Sequence, residues 1–146
     1  MIFRVHFDDI EKIKINKKSL SEISRRVIEK EGFRPGNISV IITSDRILEN
    51  INKRFLGKEN LTDIVAFKDT AKETVNGEIY ISYDRVKFNS IRYCKRNFKQ
   101  ELYRVIIHGI LHLIGYNDST VQERKQMIQM ENSYLNELNL LIGGTA

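Results

Sequence analysis

The chain has 146 residues, a single cysteine, and a formal charge of +5 from 24 Lys and Arg against 19 Asp and Glu. That length suits one ordinary domain, which at this size buries roughly 68–70% of its unfolded surface without cross-links, and Cys94 standing alone excludes an internal disulfide and any cysteine-rich zinc finger. With 41% hydrophobic and 29% charged residues and no apolar run near the roughly 20 residues of a bilayer span, a membrane partner is not expected, while the modest basic excess admits a polyanion without requiring one.

No internal period or low-complexity tract divides residues 1–146, so they read as a single domain, with disorder expected only in the closing GGTA. The opening MIFRVHFDDIEKIKINKK mixes acids and bases where an export signal needs an unbroken apolar stretch, so a cytoplasmic location is expected. IFRVHF alternates as a half-buried strand, and His6 within it reads as structural. SLSEISRRVIEKEG has helical spacing at Leu20, Ile23, Val27 and Ile28 and ends at Gly32. Pro35 and Gly36 then mark a turn.

ISVIIT is continuous and β-branched, the pattern of a strand covered on both faces, and Ser44 is placed to cap a helix through DRILENINKRFL. LTDIVAF and GEIYIS read as two further strands, close enough in sequence to be antiparallel neighbours. From Tyr83 onward the chain is helical in up to three pieces, spanning about residues 84–93, 98–114 and 119–141. Asn97 with Gln100 resembles a capping box at the start of the second. The architecture expected is α/β, or α+β: a small mixed sheet of about four strands covered by helices, with HGILH on a largely buried helix.

That helix carries the chemistry. His108 and His112 are four residues apart, which on an α-helix sets Cβ atoms about 5–6 Å apart on one face, within reach of one metal ion. Gly115 can end the helix in a left-handed conformation and turn Asp118 back toward the pair. The string HxxxHxxGxxD has the spacing of metzincin proteases with aspartate as third ligand, and three protein ligands leave the open position of a catalytic zinc site. Two plain histidines satisfied by hydrogen bonds would look the same, and both readings stay open. Where HExxH proteases place their glutamate base stands Gly109, so a peptidase would lack its usual proton acceptor. Glu101 lies two turns before His108 on nearly the same face, where it could hold a ligand or water from behind or form an ordinary surface pair.

Several motifs together resemble the YbeY family of metal-dependent endoribonucleases of ribosomal RNA maturation. HGILHLIGYND is similar to the family's HGxLHLxGYDH, INKRFLGKENLTDIVAF to LNxxYRGKDxPTDVLSF, and GEIYIS to GDIxIS; Glu101, Met127 and Glu131 also fall at family positions. The resemblance implies a zinc ion, one per chain, held by His108 and His112, with Asp118 standing where the family has its third histidine. It implies an α/β fold with a cleft beside the histidine helix, ribosomal RNA and the ribosome as partners, no role for DNA, and a water activated by the ion acting on a phosphodiester.

Two departures stand out: the family's cleft arginine aligns with Leu56 and its proline with Leu61. Arg54 precedes Leu56 by two residues and on a helix would point roughly the opposite way, so either another base serves or activity is weakened, and Lys58 reads as a solvated loop lysine or as a substitute. Asn52, Thr62 and Asp63 fall in the same block, though Thr62 and Asp63 could simply begin a strand. Arg85, Lys87, Arg92, Lys95, Arg96 and Lys99 alternate with Tyr83, Phe88, Tyr93 and Phe98, the mixture an RNA-tracking surface uses, or else aromatics turned inward beneath solvated bases. The function expected is zinc-dependent endoribonuclease, with His108, His112 and Asp118 as catalytic metal ligands. The rivals are a metzincin-like metalloprotease and a non-catalytic ribosome-associated factor with a structural metal.

Overall fold

Strand β1 (Ile2–Phe7) leads into helix α1 (Lys17–Lys30), then β2 (Arg34–Thr43) and α2 (Asp45–Ile51), which continues as a π-helical turn, Asn52–Leu56. Next come β3 (Ile64–Lys68), β4 (Thr74–Ser82), α3 (Tyr83–Arg92), α4 (Phe98–Leu113) and α5 (Val121–Gly143). This computed structural model describes residues 1–56, 63–69, 73–92 and 97–143, with the backbone alone at 55 and 56. The expected disorder at the C-terminus concerns residues outside that set, apart from Gly143, which closes α5. Among the described residues no helix is long and apolar enough to cross a membrane.

The four strands form one mixed sheet in the order β1-β2-β4-β3. β1, β2 and β4 run parallel, and β3 pairs antiparallel with β4 through registers such as Ala66 with Ile79. The α/β expectation and the pairing of the LTDIVAF and GEIYIS strands both hold. Ile38, Val40 and Ile42 are buried while Ser39 and Ile41 are only partly so, which means that β2 is fully covered on one face and not, as its composition suggested, on both.

Two local expectations need correction. Pro35 and Gly36 do not turn the chain; they lie within β2, where the ladder to β4 shifts register between Pro35 and Ile38. Proline cannot donate to a ladder, so it is tolerated there at an irregularity, and the Asn37 N–H is taken up by the Asn76 side chain at 2.8 Å. The helix read through DRILENINKRFL ends its α-helical part at Ile51 and widens into the π turn. Apolar spacing does not distinguish these two ladders over so short a span.

Caps explain the helix starts. Ser44 accepts from the Ile47 N–H at 3.3 Å and Asn97 from the Gln100 N–H at 2.9 Å, as expected. Gln100 does not close the box, because its amide pairs with Asn139 of α5 at 2.9 Å. The reciprocal box lies instead at α5, where Thr120 Oγ1 accepts from the Glu123 N–H at 3.1 Å and Glu123 from the Thr120 N–H at 2.9 Å. Helix α4 is buried along most of its length, lies on the sheet, and carries α1 and α5 against its other flanks.

Candidate metal centre

Helix α4 sets its functional residues by periodicity. At about 100° per residue, positions 101, 104, 108 and 112 fall on one stripe, and this stripe bears Glu101, Arg104, His108 and His112. The chain leaves α4 through Gly115 at φ +104°, a conformation that side chains resist, and thereby returns Tyr116 and Asp118 toward the histidines. Asp118 Oδ2 stands 3.3 Å from His108 Nε2 and 3.7 Å from His112 Nε2. The two Nε2 atoms are 2.8 Å apart. One donor atom from each of the three residues lies within 4.8 Å of the other two.

The chemistry of this donor set fits a cation. His112 Nδ1 donates to the Tyr116 carbonyl at 3.0 Å, so its neutral ring keeps a lone pair on Nε2. His108 Nδ1 faces the Glu131 carboxylate, which calls for a donor there and leaves a second lone pair on Nε2. Two opposed lone pairs repel unless a positive charge lies between them. A tetrahedral zinc ion bonded at about 2.0–2.2 Å spaces its ligands about 3.3–3.6 Å apart, so small ring rotations would admit one. Burial, reinforced by His108, holds the His112 imidazole below its ordinary pKa and keeps it in the neutral form a metal requires.

Glu131 and Arg104 belong to the site although sequence reasoning gave neither a role in it. Arg104 binds Glu101 through Nε at 2.8 Å and Nη2 at 2.7 Å, and Glu131 through Nη1 at 2.8 Å. Burial works to lower the Arg104 pKa, but the bonds to Glu101 and the charge of Glu131 outweigh it and leave the guanidinium more firmly charged than usual. Glu101 thus touches Arg104 and is linked to His108 through Arg104 and Glu131. The missed signal was a charged residue on the apolar stripe of α5, where Met127, Glu131, Tyr134, Leu135 and Leu138 are all buried. Tyr116 was also missed: its hydroxyl donates to Glu31 at 2.8 Å, tying the returning loop to the end of α1.

Asn52 is buried in the π turn, and its Nδ2 meets no hydrogen-bond partner among the described residues. Asp63 contributes its carbonyl, which accepts from the Ser82 N–H at 3.0 Å at the head of β3. His6 lies on β1 and is exposed. Lys58, Thr62, Lys95 and Arg96 lie outside the described residues, as do Leu61, Tyr93, Cys94 and the Leu56 side chain.

On α3, Arg85 pairs with Asp45 at 3.4 Å, Lys87 lies over the Tyr83 ring at 5.9 Å, and Arg92 over the Phe88 ring at 5.7 Å. Tyr83 packs against Phe98 with centroids 5.1 Å apart, while Phe88 is exposed, so one aromatic turns inward and another outward. Packing at Phe98 places the start of α3 beside the start of α4, about 15 Å of helix before His108.

Residues 6–139 match the family model described as Endoribonuclease YbeY. Proteins bearing that name are similar in Chlorobium phaeobacteroides strain BS1, 39% identical over 85% of this chain and 89% of the relative, and in Parabacteroides distasonis, 36% identical over 92% and 94%. The solution structure of a Thermotoga maritima protein superposes with a TM-score of 0.60 at 28% identity, covering 92% of this chain and 88% of that one.

Proposed function

The chain belongs to the YbeY endoribonuclease family, and on that premise we propose that it is a zinc-dependent endoribonuclease of ribosomal RNA in the cytoplasm, working at the ribosome. His108, His112 and Asp118 are its metal ligands, and residues 1–146 act as one domain. The observation that carries this reading is the convergence of His108 Nε2, His112 Nε2 and Asp118 Oδ2 on one point.

When bound, zinc supplies a Lewis acid for a phosphodiester oxygen and lowers the pKa of a coordinated water to about 7. The chain's own residues do the positioning. Glu131 and the Tyr116 carbonyl hold both histidines by Nδ1, which leaves both Nε2 lone pairs to hold a metal ion. Asp118 adds the one carboxylate of the ligand set, a hard donor that also accommodates other divalent ions. Purified protein is expected to cleave ribosomal RNA and to lose cleavage on chelation, with recovery on adding zinc. Zinc bound tightly without cleavage above background would transfer the site to a structural role in a ribosome-associated factor.

The exposed row on α3 is the surface we assign to RNA. Lys87 and Arg92, with Phe88 between them, offer cations to phosphates and a ring to a base at some distance from the metal residues. Lys87→Ala with Arg92→Ala is expected to weaken RNA binding and to flatten the dependence of log affinity on log salt by about 0.7 for each phosphate no longer neutralised. Zinc content should not change. An unaltered salt slope, measured by fluorescence anisotropy across a salt series, would remove α3 from the RNA path.

A further inference from the structure

Glu131 is only 2% exposed, on a helix face otherwise occupied by apolar side chains. A carboxylate taken that far from water is costly unless its oxygens are paired. One oxygen accepts from Arg104 Nη1 at 2.8 Å, and the other faces His108 Nδ1. Arg104 is itself gripped at two points by Glu101. The result is one unbroken line, Glu101–Arg104–Glu131–His108, that starts inside the helix pair and ends on a ligand of the candidate metal centre.

We propose that Glu131 is a positioning residue of this centre: it keeps the His108 proton on Nδ1 and aims Nε2 at the ion, while Arg104 and Glu101 hold Glu131 in place. The inference rests on the metal reading above. An anionic acceptor behind a metal-bound imidazole fixes the tautomer and makes the ring a stronger donor. Arg104 balances one of the two carboxylates beside it, which leaves a net negative charge acting on His108. His112 has a neutral carbonyl in the corresponding place. The two histidines are therefore unequal ligands, with His108 the stronger, an asymmetry that their shared HxxxH motif conceals.

The test uses the full chain and zinc alone, with affinity read by competition against a chromophoric chelator. Glu131→Gln, which keeps the volume and removes the charge, should bind zinc about 10–100-fold more weakly. Glu131→Asp, which keeps the charge but withdraws it by one methylene, should fall on the same side. A merely structural carboxylate would shift the melting temperature and leave zinc affinity, measured well below melting, as it is in the unaltered protein. Nitrogen-15 spectra of the histidine rings in the unaltered protein give an answer that needs no variant to fold. His108 protonated on Nδ1, with Nε2 bound to the metal in the zinc form, is the expected result; the opposite tautomer overturns the proposal. Equal zinc affinity in Glu131→Gln also overturns it, and overturns it alone, whereas failure of the unaltered protein to bind zinc defeats the metal reading on which it stands.

Discussion

Asp118→Ala is expected to lose zinc and RNA cleavage together while the protein stays folded. The Asp118 side chain is 42% exposed and its carboxylate faces the two histidine Nε2 atoms, so nothing in the core depends on it. Removing a ligand should weaken zinc binding by more than the roughly 10–100-fold that follows loss of an outer partner. The double variant His108→Ala, His112→Ala should abolish binding altogether, but it is the less clean experiment. It deletes a hydrogen-bond partner of Glu131 and leaves that buried carboxylate to Arg104 alone, and a buried acceptor deprived of its donor is destabilising. Metal analysis and cleavage on the same preparations decide the matter: Asp118→Ala retaining near-stoichiometric zinc would show that the third ligand lies elsewhere.

The parts of this site that are local in sequence could be read before any fold was known. His108 and His112 share a helical face, Gly115 turns the chain, and Asp118 follows within reach, all inside 11 consecutive residues. What could not be read is what long-range packing supplies. Glu131 comes to His108 across 23 residues of sequence because α5 folds against α4, and no local pattern specifies that crossing. The same limit applies to the sheet. Its strands were recognisable one by one, and the neighbouring β3 and β4 could be paired, yet the insertion of β4 between β2 and β3 depends on which edges the helices leave available. At Pro35 a reliable turn signal gave the wrong answer because proline is equally at home at a sheet irregularity, and the side chain that makes the irregularity tolerable, Asn76, lies 41 residues later.

Gly109→Glu, which writes the protease motif HExxH into the chain, is expected to destabilise the protein and to create no peptidase. On α4 the position after His108 faces Ile64 and Ile79 of the sheet. A Cβ built on Gly109 would lie 2.7 Å from Ile79 Cγ2 and 2.9 Å from Ile64 Cδ1, closer than carbon atoms pack. Alanine alone would gain up to about 1 kcal/mol of helix propensity over glycine and lose about 1–3 kcal/mol to overpacking, a small net loss. Glutamate adds to that clash a carboxylate driven against the apolar side chains of Ile64 and Ile79, so the total should exceed about 3 kcal/mol. Against the roughly 5–15 kcal/mol of a typical domain this is a large fraction, and the melting temperature should fall by about 10 °C or more. A thermal melt and a casein digest on the same sample check both halves of the expectation. A folded Gly109→Glu protein with chelator-sensitive proteolysis would mean that the packing around Ile64 and Ile79 can yield to the new side chain, and that the missing glutamate is what separates this site from a protease.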